Sequence, residues 1–258
     1  MEYPYVHYSA TGNTFLAFDN RQEEISLTDK ITLNKIAVEN NVDGLIFVEK
    51  SDVADFKFRY INLDGGEVEM CGNGLRAISQ FADKELGISH QGHYKIQTMN
   101  SIYTTKPSED LPSVLMGEFC DENKVNGKDL YKCISSYYAN TGVPHIVFEV
   151  EDVEKVDLEN LGIKVREDGR FMDGVNTNVF DRSENNIRVR TFERGVEGET
   201  GSCGTGITAI AHYLFRHEKL AGELAVQAKA GRLSAIKENE SIWLTGPVTL
   251  VAKGSLEI

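Results

Sequence analysis

Two cysteines lie in the same nine-residue pattern, Gly-Glu-x-x-x-Cys-Gly-x-Gly, which occurs at residues 66–74 and again at residues 198–206. Each copy runs into a segment whose apolar residues have helical spacing. Cys71 and Cys203 are therefore each predicted to lie on a glycine-rich turn just before a helix. Unpaired backbone N–H groups and the helix dipole stabilise an anion there, and they can lower a cysteine pKa from about 8.5 to about 3.5–7.5. The pattern predicts two matched, reactive thiols.

Two matched thiols that face one small molecule suit a proton transfer at carbon. One sulfur, as thiolate, would remove a proton next to a carboxylate, and the other, as thiol, would deliver a proton to the opposite face. Main-chain N–H groups of residues 72–74 and 204–206 would hold that carboxylate. We expect no cofactor, because no lysine context indicates pyridoxal phosphate. We expect no metal ion either, because no additional Cys or His pair supplies zinc ligands.

The composition is that of an ordinary globular protein of 258 residues with a formal net charge of −13. Such an acidic chain is a poor partner for nucleic acid or for an anionic membrane surface. No apolar run of 18 or more residues and no signal peptide occur in the sequence, so the expected location is the cytoplasm. A disulfide between Cys71 and Cys203 is the alternative to free thiols, and the cytoplasm disfavours it. Cys120 and Cys133 lack the glycine-rich context and are interpreted as small apolar residues.

The cysteine pattern is one landmark of an internal repeat that spans the chain. Thr11-Gly12 precedes an apolar strand pattern, and Thr141-Gly142 does the same about half a chain later. We therefore predict two homologous halves, residues 1–120 and 127–258, with some return of the C-terminal end to the first half. The predicted fold class is α/β in the broad sense (α+β). The halves are expected to be related by a pseudo-twofold axis, each a mostly antiparallel sheet wrapped around a central helix, with the active site in the cleft between them.

Local patterns predict the elements of the first half. Residues 5–19 indicate two strands joined by a tight turn, and residues 26–40 indicate a helix with Thr28 or Asp29 as its cap. Residues 44–48 are predicted as a buried strand and 56–61 as a half-buried one. Residues 93–105 and residues 113–116 are each predicted to form a further strand.

An ordered set of motifs makes the chain resemble the diaminopimelate epimerase family nearly from end to end. The motifs are Gly12-Asn13-x-Phe15, Asn62-x-Asp-Gly, Cys71-Gly-Asn-Gly-x-Arg76, Gly142-x-Pro144-His145, Glu193-Arg194-Gly195, Gly198-Glu199-Thr200-x-x-Cys203-Gly204-Thr205-Gly206 and Leu244-Thr245-Gly246-Pro247. The resemblance implies a cofactor-independent enzyme with two similar halves that interconverts LL- and meso-diaminopimelate, an intermediate of lysine and peptidoglycan synthesis. It also implies a small amino-acid substrate and a homodimer, although the sequence by itself leaves the oligomeric state open.

The resemblance assigns roles to individual residues. Cys71 and Cys203 would be the acid–base pair. The substrate would be bound by Asn13, Asn62, Gly72, Asn73, Asn176, Glu193, Arg194, Gly204 and Thr205, with His145, Glu67 and Glu199 in supporting places. A second zwitterionic end needs a cation for its carboxylate and an anion for its ammonium group, and the adjacent Glu193 and Arg194 supply both.

Two other functions remain alternatives. The same two-thiol chemistry could act on another amino acid, since the chain departs from the usual family motifs at Thr14, at Val143 and by one additional residue between Arg194 and Glu199. These positions concern substrate contacts more than proton transfer. A non-catalytic module that binds an amino acid or senses redox state would also use paired cysteines. Hydrogen exchange at the α-carbon separates it from an enzyme.

Overall fold

The structure is a computed structural model. It describes residues 1–116, 121–123 as backbone only, 125–183, 186–217, 220 and 222–258. The chain forms two compact units: Met1–Leu115 with Thr245–Ile258, and Met116–Leu244. Cys120, at the end of the first predicted half, and residue 124, between the two predicted halves, lie outside the described residues.

Strands alternate with helices along the first half of the chain. In order these elements are β1 (Glu2–Ala10), β2 (Asn13–Asp19), α1 (Lys30–Glu39), β3 (Gly44–Glu49), β4 (Phe56–Asn62), α2 (Gly72–Lys84), β5 (Tyr94–Gln97), β6 (Ile102–Lys106) and β7 (Ser113–Met116). The second half continues with β8 (Asp121–Asn123), β9 (Ser135–Asn140), β10 (Pro144–Glu149), α3 (Leu158–Glu167), β11 (Asn176–Ser183), β12 (Asn186–Glu193), β13 (Gly198–Thr200), α4 (Gly204–His217), β14 (Glu223–Ala228), β15 (Gly231–Glu238) and β16 (Ser241–Thr245). The last strand, β17 (Val248–Glu257), belongs to the first unit.

The two units repeat the same order of strand pairings. From β17 through β1, β2, β3, β4 and β5 to β6, successive neighbours are antiparallel, antiparallel, parallel, antiparallel, parallel and antiparallel. The series β8, β9, β10, β11, β12, β14 and β15 has the same six relations. Parallel neighbours occur where a helix connects the strands, because a parallel connection needs a long crossover. The predicted mixed α+β fold with two repeated halves is confirmed.

Helix α2 lies across the sheet of its unit, as predicted for a central helix. It contacts β1, β2, β3, β4 and β6. Its residues from Asn73 to Ala82 are all buried, and Leu75, Ile78 and Phe81 supply most of the apolar surface. Removing that surface from water stabilises the unit, at about 25 cal/mol per Å² of apolar area. The residue at the start of α2 is therefore anchored by the core.

The local predictions hold with one exception. Helix α1 begins after Asp29, whose side chain accepts a hydrogen bond of 3.1 Å from the N–H of Thr32. The segment 93–105 is not one strand but the hairpin of β5 and β6, because Thr98 N–H donates to the carbonyl of Ser101 at 2.8 Å and closes a turn. Among the described residues, no helix combines the length and the apolar composition that crossing a membrane requires.

Candidate active site

Cys71 and Cys203 lie directly before α2 and α4. Cys71 is the N-cap residue of α2, and its Sγ accepts a hydrogen bond of 3.3 Å from the N–H of Gly74. Cys203 accepts the equivalent bond from the N–H of Gly206. Its Sγ also lies 3.4 Å from Thr205 Oγ1. Neither cysteine forms a disulfide within the described part of the chain, so both are available as thiols.

The third residue of each helix is glycine because other groups approach the helix backbone there. A Cβ atom added to Gly74 would lie 3.0 Å from the Phe58 ring and 3.5 Å from Cys71 Sγ. A Cβ atom added to Gly206 would collide with Asn178 Oδ1. The glycines thus allow each thiol and a neighbouring strand to pack against the first helical turn.

The first two N–H groups of each helix remain open. In an α-helix these donors have no intrahelical partner, and those of Gly72, Asn73, Gly204 and Thr205 form no hydrogen bond within the described residues. The third N–H of each helix is occupied, because it donates to the cysteine sulfur. Two donors per helix are therefore positioned for an anion such as a carboxylate.

Cys203 lies in an environment that favours the protonated thiol. The residue is 7% exposed, and burial raises the pKa of its thiol well above the ordinary value. The negative charge of Glu193 raises that pKa further. The Glu193 carboxylate is held in place by a hydrogen bond of 2.6 Å from Thr200 Oγ1. At neutral pH the Cys203 thiol is therefore protonated.

Cys71 lies near a buried cation instead. Arg76 is fully buried in α2, and its charge interacts favourably with Cys71. Within the described residues its guanidinium donates to neutral oxygens: Asn73 Oδ1 at 2.5 Å, Thr11 Oγ1 at 3.2 Å and Pro247 O at 3.3 Å. Burial lowers the pKa of Arg76 to about 10, so the guanidinium remains charged at neutral pH. The two cysteines therefore have charged neighbours of opposite sign.

Asn13 is joined to this arrangement through Asn73. The turn Thr11-Gly12 between β1 and β2 has positive φ at both residues, 43° and 89°. That geometry matches the two-residue hairpin turn that fits the twist of adjacent strands. Asn13 follows the turn, and its Oδ1 accepts a hydrogen bond of 2.8 Å from Asn73 Nδ2.

Asn62 and Glu193 occupy equivalent ends of β4 and β12. Asn62 Oδ1 accepts a hydrogen bond of 2.8 Å from the N–H of Leu63. A neutral amide in the first unit thus corresponds to a carboxylate in the second. The repeat is symmetric in backbone and asymmetric in charge.

Arg194 and Asn176 lie together in the second unit. The N–H of Arg194 donates to Asn176 Oδ1 at 2.7 Å, and Arg194 Nη1 donates to the carbonyl of Asp173 at 3.0 Å. Arg194 lines an open cavity of about 580 Å³ together with Asn140 and Pro144. Cys203, Glu193 and Asn176 are not among the residues that line this cavity.

His145 is fully buried and neutral. Its Nδ1 lies 3.0 Å from Asn178 Nδ2, which also donates to the backbone carbonyls of Ile146 and Asn176. Because the amide nitrogen is fixed as the donor, Nδ1 is the acceptor and Nε2 carries the proton. Burial lowers the pKa of His145 to about 3. Asn178 Oδ1 in turn accepts from Thr191 Oγ1 at 2.9 Å.

The glutamates of the repeated motif form equivalent ion pairs. Arg59 binds both carboxylate oxygens of Glu67, at 2.5 and 2.6 Å. Arg190 binds both of those of Glu199, at 3.0 and 2.9 Å. Each pair ties the segment before one of the two cysteines to the preceding strand, β4 or β12. This arrangement supports a structural part for both glutamates.

Sequence reasoning missed several residues that shape the site. Arg76 lies in one of the motifs, but the motif predicts no role for it, and Asn178 and Thr191 lie in none of the motifs. Asn178 lies two residues after Asn176 on β11, so the period of two in a strand could have indicated it. Cys133 packs beside the apolar cluster around α3, and burial raises its pKa, which fits a small apolar residue.

Comparisons with known proteins agree over the whole chain. The sequence model of the family described as diaminopimelate epimerase matches residues 5–119 and 137–251. The diaminopimelate epimerase of Thermotoga maritima is 36% identical over 249 residues, which cover 93% of this chain and 97% of the relative. That of Chlorobaculum tepidum is 34% identical over 263 residues, covering 97% and 100%. The solved structure of a PhzF-family phenazine biosynthesis protein from Bacillus anthracis is similar in fold, with a TM-score of 0.77, 19% identity and 100% coverage of both chains.

Proposed function

The chain belongs to the diaminopimelate epimerase family, and from that membership we propose that it interconverts LL- and meso-2,6-diaminopimelate without a cofactor. The observation that carries the proposal is the position of two thiols at helix N-termini in the repeated motif of a chain that matches the family over both halves. A cytoplasmic location and a homodimer remain predictions, and sedimentation of the purified protein measures the latter.

The proposed reaction moves one proton off the α-carbon and another onto its opposite face. The thiolate of one cysteine takes the α-hydrogen as a proton, and the electron pair of the broken C–H bond passes into the substrate carboxylate. The thiol of the other cysteine then gives its proton to the opposite face of the carbon and becomes the thiolate. That both sulfurs address one carbon is part of the proposal.

The surroundings of the cysteines support a division of labour at rest. Arg76 favours a negative charge at Cys71, whereas burial and Glu193 favour a proton on Cys203. We therefore propose Cys71 as the thiolate and Cys203 as the thiol of the resting enzyme. The two groups would titrate as a coupled pair, with one negative charge between them.

Stabilising the carbanion is the demanding step, because an amino-acid α-proton is a very weak acid. As the C–H bond breaks, charge accumulates on the carboxylate oxygens. The open N–H groups of Gly72, Asn73, Gly204 and Thr205 are the proposed donors to that carboxylate. Donors oriented in advance stabilise developing charge without reorganisation, and losing one such donor commonly costs about 10²–10³ in rate.

The distal end of diaminopimelate is the proposed ligand of Arg194 and its neighbours. Arg194 would bind the distal carboxylate beside Asn176, with Asn62 contributing from the first unit, and Glu193 would meet an ammonium group. The hydrogen bond of 2.7 Å from the N–H of Arg194 to Asn176 Oδ1 supports this role, because it holds the two residues side by side. We expect Arg194→Ala to raise KM for diaminopimelate at least tenfold, which steady-state kinetics measures. An unchanged KM would remove Arg194 from the proposed site.

Hydrogen exchange in heavy water tests the reaction. The wild-type protein is expected to incorporate deuterium at the α-carbon of LL-diaminopimelate and to form the meso isomer. Cys71→Ser and Cys203→Ser should each lower epimerisation at least a thousandfold, since a serine hydroxyl is far less acidic than a thiol. Cys133→Ser is the matched control and should retain wild-type turnover. Appreciable epimerisation by either active-site variant would refute the two-thiol mechanism.

A racemase for another amino acid is the second candidate. Val143 favours it, because an apolar side chain occupies a place where the family motif usually has an amide. A panel of amino acids with a single stereocentre, assayed beside LL-diaminopimelate, distinguishes the two. Preferential turnover of a panel member would replace the substrate while retaining the chemistry. A non-catalytic binding or redox module would give no α-deuterium with any of them.

A further inference from the structure

Arg76 is a buried charge without a carboxylate partner among its described hydrogen bonds. Its donors reach Asn73 Oδ1, Thr11 Oγ1 and Pro247 O, while Nε has no hydrogen-bond partner within the described residues. Burying a guanidinium against neutral oxygens alone costs free energy. A favourable electrostatic interaction with Cys71 offsets part of that cost. It does not explain why the guanidinium donates its hydrogen bonds to Asn73, Thr11 and Pro247.

That direction fixes the side-chain amide of Asn73. A charged guanidinium has five N–H donors and no acceptor, so the Asn73 atom 2.5 Å from Nη2 can only be Oδ1. The amide of Asn73 is 4% exposed and cannot turn over without placing its N–H groups against those of Arg76. Asn73 is thereby held with Nδ2 on the side away from the arginine.

The orientation of the Asn73 amide in turn fixes the orientation of the Asn13 amide. Asn73 Nδ2 carries only hydrogens, so the Asn13 atom at 2.8 Å must be the acceptor Oδ1. Asn13 Nδ2 is left on the other side of its amide, with no acceptor among the described residues, and the residue is half-buried. A donor group of Asn13 is therefore presented for an external acceptor.

We propose that Arg76 is a positioning residue that, through Asn73, fixes the amide of Asn13 with its N–H donors toward the substrate, where they bind a carboxylate oxygen. The inference rests on the proposed function. At neutral pH the acceptors of diaminopimelate are its carboxylate oxygens, because both amino groups are ammonium ions that only donate. Asn13 thus selects for a carboxylate and against an ammonium group at its position.

Arg76 also holds the segment that carries Asn13. Its Nη2 donates both to Asn73 in α2 and to Thr11 in the turn between β1 and β2. Thr11 is in the left-handed region, φ 43°, which a residue with a side chain seldom adopts. One guanidinium thus ties the turn and the helix start together and sets the polarity of the amides between them.

Two substitutions of Asn13 test the proposal, because the variant that should be more stable is also the one that should bind substrate more weakly. Asn13→Asp keeps an acceptor for Asn73 Nδ2, whereas Asn13→Leu leaves that buried donor unpaired. We expect the Leu variant to unfold several degrees below the Asp variant. For substrate the order reverses: KM for LL-diaminopimelate should rise about tenfold in the Leu variant, and at least tenfold further in the Asp variant, whose charge repels a carboxylate.

The two readouts separate this inference from the proposed function. Thermal unfolding needs no substrate, so a Leu variant as stable as the Asp variant would overturn the amide assignment even in an active enzyme. A KM for the Asp variant at or below that of the Leu variant would show that Asn13 faces an ammonium group. Wild-type protein that exchanges no α-hydrogen of diaminopimelate would refute the proposed function, and the stability order would still report the amide direction.

A substitution of Asn73 tests whether Arg76 acts on the Asn13 amide through the Asn73 side chain. Asn73→Asp gives Arg76 a carboxylate, which should raise the thermal midpoint, but it removes the donor to Asn13. Asn13 must then turn its Nδ2 to the new carboxylate and present Oδ1 to the substrate. Asn13→Leu, which raises KM about tenfold in the wild-type background, should leave KM unchanged or lower it in this one. The single variant Asn73→Asp and the double variant with Asn13→Leu both carry the introduced carboxylate. Its charge therefore does not contribute to the difference in KM between them. A tenfold rise in both backgrounds would overturn the inference.

Arg76 itself is tested by the same comparison. Arg76→Lys retains a donor-only cation, so the tenfold effect of Asn13→Leu on KM should persist. Arg76→Met frees the Asn73 amide to take either direction, so that effect should fall to about threefold or less. Persistence of the full effect in the Met background would remove Arg76 from the proposal. If the Met variant does not fold, the Asn73→Asp comparison decides.

Discussion

The sulfur atoms of Cys71 and Cys203 have neighbours of opposite charge. Arg76 interacts with the first, whereas Glu193 adds its negative charge to the effect of burial on the second. Both thiols receive a hydrogen bond from a glycine N–H, so the difference between them comes from side chains. The proposed reaction removes one proton from carbon and delivers another, so it needs one sulfur charged and the other protonated. The two environments agree with the resting state proposed above, in which Cys71 is the thiolate and Cys203 the thiol.

Removing the carboxylate of Glu193 should make Cys203 easier to ionise. We expect Glu193→Gln to move the midpoint of Cys203 alkylation by iodoacetamide to lower pH, because burial then acts without the added negative charge. Peptide mapping by mass spectrometry distinguishes this thiol from Cys71. Glu197→Gln is the control: it removes a charge from the same loop, where Glu197 pairs with Arg166, and should leave the midpoint in place. A midpoint that is the same in both variants would contradict the assignment.

At the scale of elements, the start of α4 is shaped by what packs against it. Glycine in a helix is disfavoured relative to alanine by up to about 1 kcal/mol. Gly206 nevertheless lies in the first turn, since a Cβ there would collide with Asn178 on β11. Asn178 also fixes the tautomer of His145. Close packing and the polar network around the thiol therefore outweigh helix propensity.

Gly206→Ala should lower the free energy of unfolding by about 1–3 kcal/mol, the usual cost of forcing extra volume into a packed site. Propensity alone would predict the opposite sign. Urea unfolding followed by circular dichroism measures the change. Gly198→Ala serves as the control, because a Cβ there has no atom within 4 Å, and it should cost less than about 0.5 kcal/mol. An unaltered or increased stability of the Gly206 variant would mean that the helix start is not packed as described.

For the whole molecule, buried His145 couples stability to pH. Its pKa is lowered by burial to about 3 in the folded state, against 6.5 for an unperturbed histidine. Below pH 6.5 the imidazole of His145 is protonated in the unfolded chain but stays neutral in the folded chain until the pH approaches 3. The stabilisation is thus complete above pH 6.5 and is lost progressively as the pH falls toward 3. At about pH 5 the loss from this group is about 2 kcal/mol.

His145→Gln should reduce the acid sensitivity of the fold. Glutamine keeps an acceptor for Asn178 Nδ2 but does not titrate. We expect the variant to lose about 2 kcal/mol less unfolding free energy than wild type between about pH 7 and about pH 5, measured by urea unfolding at both values. His93→Gln, a change at an exposed histidine, should lose as much as wild type. The proposed coupling fails if the His145 variant shows the wild-type loss.

The equivalent strands beside β1 and β9 come from different parts of the chain, and the sequence repeat does not indicate this. The place next to β9 in the second unit is taken by β8, which directly precedes β9 in sequence. The equivalent place in the first unit, next to β1, is taken by β17 from the end of the chain. Some return of the C-terminal end is expected from the sequence, but strand pairing between distant segments leaves no local periodicity that identifies the partner.

What the sequence by itself determined is local. The repeated Gly-Glu-x-x-x-Cys-Gly-x-Gly pattern predicted the two helix starts, and alternating or continuous apolar residues predicted β3 and β4, because hydrogen bonding within a turn and the period of a strand depend on neighbours along the chain. The ordered motifs likewise predicted the family. What only the tertiary structure decided is which groups meet across distance: Arg76 with Thr11, Glu193 with Cys203, and Asn178 with His145. The charge next to each thiol, the direction of the side-chain amides and the tautomer of His145 depend on these contacts. The spacing of residues in the sequence does not encode them.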